Sequence, residues 1–135
     1  MPFKFLKHTA DVRMSVRAGD LETLFRDALQ GMTFVQIPNY KPQISISKKL
    51  IKIQSPDKTA LLVDFLSEVL AQSQINKEIY ADVKFLQFSE TELKAEIYGV
   101  AVENFDEDIK AVTYHEADIK KNEKGEWETI LVFDV

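Results

Sequence analysis

Two runs of helical spacing sit in a chain whose remaining apolar residues alternate or form short strand-length blocks. Leu21, Leu24, Phe25, Ala28, Leu29 and Met32 recur at intervals of three and four, which gives a helix one apolar stripe. Leu61, Leu62, Phe65, Leu66, Val69 and Leu70 repeat the pattern with a broader apolar face. This spacing predicts helices at about 21–34 and 57–75, with Phe25 and Phe65 in the core. Around them, Val12, Met14 and Val16 alternate with Arg13, Ser15 and Arg17, and strand patterns cover 44–54, 79–88, 92–103, 109–121 and 126–134. Two helices, each preceded and followed by strands, predict an α+β fold of two strand-helix-strand-strand units, with both helices packed on β-sheet. No residue pattern visibly recurs between the halves.

The boundaries follow from local chemistry. Asp20 is placed to cap the first helix, and Ser55-Pro56-Asp57 reads as a second helix start, with Ser55 as cap and Pro56 in the first turn. Ile44 and Ile46 share one strand face while Ile51 and Ile53 share the other, which predicts a bulge or bend near Lys48-Lys49. Asn122-Glu123-Lys124-Gly125 reads as a hairpin turn. The block Ile130 to Phe133 suits a central strand covered on both faces.

A chain of 135 residues, 45% of them hydrophobic, can bury a core without covalent staples, so one domain over residues 1–135 is expected. It has no cysteine, which removes thiolate metal sites and thiol nucleophiles and suits a cytoplasmic setting. No run approaches the roughly 18 apolar residues of a membrane span, so no membrane partner is expected. With 17 basic against 22 acidic residues, the net charge of −5 argues against a large phosphate footprint. Sequence-specific binding to nucleic acid is therefore not expected, and any link to it should run through a protein partner.

Few residues offer chemistry. Phosphate-binding glycine loops and the common hydrolase motifs are absent, and the only histidines, His8 and His115, are far apart. The polar run HTADV, His8 to Val12, leads into the first alternating strand. Asp11 falls in phase with Arg13 and Ser15, opposite Val12 and Met14, and so should face water or a cleft. His8 lies three residues earlier, and only a bend at Thr9-Ala10 would turn it toward Asp11. At the other end, Asp134 and the carboxylate of Val135 place hard oxygens side by side, of the kind that suit calcium, magnesium or manganese. Lys110, Val112 and Tyr114 would share a strand face, with Tyr114 expected to pack, and Asp106-Glu107-Asp108 reads as a solvated loop.

HTADV at 8–12, KAVTYH at 110–115, Gly-Glu-Trp at 125–127 and the closing Phe-Asp-Val resemble the archease family in order and spacing, over nearly the whole chain. The resemblance implies one strand-helix-strand-strand module inserted into another. It also implies a non-catalytic cofactor protein for the GTP-dependent tRNA-splicing ligase, which promotes guanylylation of the ligase's active-site histidine and repeated turnover. By the same resemblance a divalent cation, calcium first and magnesium or manganese as alternatives, would be held by Asp11, Asp134 and Val135. Lys110 and His8 are carried over as partner-facing functional residues. The chain departs from the family pattern at Arg13, where the family often has glycine, and in a short link between Tyr98-Gly99 and Lys110. Two other functions fit the residues: a small hydrolase using Asp11, Asp134 and His8 around one ion, and a plain interaction domain.

Overall fold

The computed structural model describes residues 2–6, 11–41 and 47–135. In chain order these form β1 (Phe3–Leu6), β2 (Asp11–Ala18), α1 (Leu21–Gln36), β3 (Ser47–Gln54), α2 (Lys58–Asn76), β4 (Glu78–Phe88), β5 (Glu92–Ala101), β6 (Ala111–Thr113), β7 (Lys120–Lys121) and β8 (Trp127–Asp134). Strands β1, β2, β8 and β6 pair in that order, with β7 also on β8, while β3, β5 and β4 make a second sheet. Every pairing is antiparallel. The unit β3-α2-β4-β5 is thus inserted between α1 and β6, and the first sheet is closed by the two ends of the chain. This is the α+β arrangement expected from the sequence.

Each helix touches strands of both sheets. That explains why α2 needs apolar residues around much of its circumference: Leu61, Leu62, Val63, Phe65, Leu66, Val69 and Leu70 are all buried. Phe25 and Phe65 meet at 5.8 Å, with Phe85 and Phe88 completing an aromatic cluster. On α1, Gly31 lets the helix lie directly on β2, since a Cβ there would come within 2.2 Å of the Met14 Sδ.

Asp20 caps α1 as expected, its Oδ1 accepting the Thr23 N–H at 2.8 Å. Three local expectations are corrected. Asp57, not Ser55, caps α2, accepting the Ala60 N–H at 2.8 Å, while the Ser55 hydroxyl donates to Asp64 at 2.6 Å. Register between β3 and β5 runs unbroken through Lys48 and Lys49, and the irregularities fall in β4, at Tyr80/Asp82 and Phe85/Gln87. Ile44 and Ile46, which prompted the bulge expectation, lie outside the described residues. The expected strand 109–121 is interrupted, because Glu116 adopts φ 65° and the Ala117 N–H donates to the Tyr114 carbonyl at 3.1 Å, turning the chain. The hairpin at 122–125 is present, with Gly125 at φ 79° and its N–H donating to Asn122 O at 3.0 Å.

Candidate functional site

Alternation along two neighbouring strands builds the site. In β2, Met14, Val16 and Ala18 are buried and Val12 packs on the core, so Asp11, Arg13, Ser15 and Arg17 take the outer face. In β8, Leu131 and Phe133 belong to the core, which sends Ile130, Val132 and Asp134 outward. Asp11 stands directly opposite Asp134 in the β2/β8 register. Two side chains so paired have Cβ atoms about 4.5–5.5 Å apart, and like charges there repel. The last pair of a central strand pairing therefore sets two carboxylates on one face of neighbouring strands.

Strand β6 closes the other side, with Ala111 opposite Asp134. The main-chain N–H of Lys110 donates to Asp134 O at 2.7 Å, which fixes Lys110 beside the acidic pair, with its residue exposed. Val135 is half-buried and packs against the core, so the main chain after Asp134 is anchored. Of the residues singled out in the sequence, Asp11, Asp134, Val135 and Lys110 come together, and His8 lies outside the described residues. No group of three or more His, Cys, Asp or Glu side chains gathers among the described residues, so a cation held here would have to draw on the two carboxylates and on main-chain oxygens. These are hard donors at one spot and suit calcium, magnesium or manganese.

Helix α2 holds the 109–119 segment in place at three points. Gln74 Nε2 donates to Ile109 O at 2.7 Å, the Tyr114 hydroxyl bonds Asp64 Oδ1, and Thr59 Oγ1 accepts the Ile119 N–H at 3.0 Å. Tyr114 does not pack inward as expected. It is 58% exposed because β6 ends at Thr113, and its bond to Asp64 raises the phenol's proton affinity.

Sequence reasoning missed a second polar feature. Arg13 Nε and Nη2 donate to Glu116 Oε2 and Oε1 at 2.6 and 2.8 Å, a bidentate ion pair between residues 103 apart in sequence. The shared protons hold the Glu116 carboxyl below, and the Arg13 guanidinium above, their usual ranges. No short-range signal announces it, since Glu116 is aimed by a left-handed turn residue. A separate cleft lined by Phe34, Ile37, Tyr40, Asp82 and Tyr98 contains none of the predicted residues.

Fold and edge together define a class: an α+β protein with one strand-helix-strand-strand unit inserted in another and an acidic pair where its end strands meet. The archease protein family (MTH1598/TM1083) matches residues 3–135. The chain belongs to the archease family. It is 28% identical to the protein archease of Methanosarcina acetivorans over 98% of this chain and 95% of that one, and 31% identical to that of Pyrococcus furiosus over 96% and 95%. The solution structure of Methanobacterium thermoautotrophicum protein 1598 superposes with a TM-score of 0.79 at 25% identity, covering 99% of both chains. A Thermotoga maritima archease, described as a possible chaperone, shares the fold with a TM-score of 0.68 at 17% identity over 98% and 96%.

Proposed function

We propose that this protein is a non-catalytic activator of the GTP-dependent tRNA-splicing ligase, acting in the cytoplasm and presenting a divalent cation to the ligase's nucleotide site. The observation that carries the reading is the in-register pairing of Asp11 with Asp134, two carboxylates set opposite each other by the strands that join the chain ends. Asp11, Asp134 and the main-chain oxygens of Val135 would hold the ion, with calcium preferred. When bound, the cation supplies a hard Lewis-acid contact for phosphate or carboxylate oxygens. Lys110, exposed beside the pair, offers a second positive group to a nucleotide phosphate or an acidic partner residue. His8, three residues before Asp11, would face the same partner. The result would be faster guanylylation of the ligase histidine, with this chain itself forming no covalent intermediate.

The decisive experiment adds the protein to its ligase at sub-stoichiometric amount and counts ligation turnovers. Extra turnovers with wild type, lost with Asp134→Asn, support activation. Unchanged turnover rejects it, and phosphate-ester hydrolysis by the protein alone would favour the hydrolase reading.

A further inference from the structure

On the outer face of the first sheet, each cation of β2 has a definable set of acidic neighbours. Arg17 stands opposite Glu128. Arg13 stands opposite Val132, so nothing across the strand neutralises it. Its carboxylate choices on this surface are Asp11, one like-facing step along its own strand, Asp134, on the diagonal, and Glu116. Like-facing residues on a strand lie about 7 Å apart, within the span of an arginine side chain. The Arg13 guanidinium is nevertheless committed to Glu116 through two bonds.

Glu116 is placed independently of Arg13. Its turn is tied to α2 by the bond from the Tyr114 hydroxyl to Asp64, to β6 by the His115 N–H on Thr113 Oγ1 at 3.3 Å, and to β8 by the Asp118 N–H on Thr129 Oγ1 at 2.9 Å. The resulting pair links β2 to the turn between β6 and β7, across β8 from Arg13, and Val132, which stands opposite both Arg13 and Thr113, is only 2% exposed although it points away from the core. From this we infer that Glu116 is a latch that holds Arg13 away from the Asp11–Asp134 pair and thereby sets the pair's affinity for a divalent cation. Released, Arg13 is an internal cation that competes for the same two carboxylates. The inference rests on the cation site proposed above and adds Arg13 and Glu116 to it as positioning residues.

Calcium titration by calorimetry, on the intact protein and three variants, tests this. Glu116→Gln should raise the calcium Kd about three- to tenfold, because the binding-competent state with Arg13 held aside is populated only part of the time. The same substitution in an Arg13→Ser background should change Kd little, since no competing guanidinium remains. An equal penalty in both backgrounds overturns the latch, because it would report net charge or a disturbed turn. A crystal structure of metal-free Glu116→Gln should place the Arg13 guanidinium in hydrogen-bond contact with Asp11 or Asp134, and an Arg13 still directed toward residue 116 or solvent would also overturn it. Wild type that binds none of calcium, magnesium and manganese removes the cation site itself. The crystallographic result then still reports whether Glu116 holds Arg13 off the acidic pair.

Discussion

The two sheets manage charge on their outer faces in opposite ways. In the inserted sheet, Lys48 pairs with Glu96 at 3.0 Å, and Glu96 is flanked in register by Leu50 and Lys84. Even its like-charged neighbours, Lys52 opposite Lys94, carry their charges on long stems that can spread apart. In the sheet closed by the chain ends, Asp11 opposes Asp134, and a single methylene separates each carboxylate from the backbone. Short stems leave such a pair less room to spread than two lysines have. The inserted sheet thus carries an ion pair on its outer face, while the terminal sheet sets two short-stemmed like charges opposite each other.

The largest expected effect tests whether both sheets depend on the same helical layer. Phe65→Ala, emptying the aromatic cluster between Phe25 and Phe85, should cost about 3–5 kcal/mol in denaturant unfolding. A loss confined to one sheet's spectroscopic signals would break the comparison.

Asp134→Asn should do the reverse of a core substitution. Without metal it should hold or raise the melting temperature, because it removes a facing like-charge pair. With calcium at a hundred times Kd, wild type should gain about 2.7 kcal/mol and the variant should gain almost none. Equal calcium shifts in both would dissolve the contrast between the sheets.

Alkaline titration addresses the inserted sheet through Tyr80. Tyr80 is buried in β4 and its hydroxyl donates to Glu78 Oε1 at 2.6 Å; burial first, then that bond, pushes the phenol from 10.0 up to about 12. A folded-state pKa above the unfolded one stabilises fully below pH 10, and that stability drains as pH rises toward about 12. Tyr80→Phe should flatten the fall in melting temperature across this window, and an unchanged slope would move its cause elsewhere.

The smallest effect on the fold is expected at Lys110. Lys110→Ala should shift stability by no more than about 0.5 kcal/mol, as for other exposed side chains, while lowering stimulation of ligase guanylylation at limiting concentration. Full stimulation by the variant would make Lys110 ordinary surface.

Both helices, the cap at Asp20 and the hairpin before Trp127 were legible in the sequence because each depends on neighbours within a few residues. The second cap was misjudged by two positions: Ser55 and Asp57 both offer capping oxygens, and only the packed structure shows Ser55 engaged with Asp64. Tyr114 was misplaced for a related reason, since alternation assumes an extended chain and Glu116 ends that extension.

The candidate site divides along the same line. Period-two alternation alone put Asp11 on the face opposite Val12 and Met14, because a pleated strand leaves successive side chains no other choice. That Asp11 meets Asp134, and that Arg13 meets Glu116, was decided only by the register of β2, β8 and β6 and by a left-handed turn residue held against α2. Local spacing carries no record of such pairings: contacts spanning 100 residues or more are selected by the joint burial of both sheets on the helices, a property of the assembled core and not of any short stretch of chain.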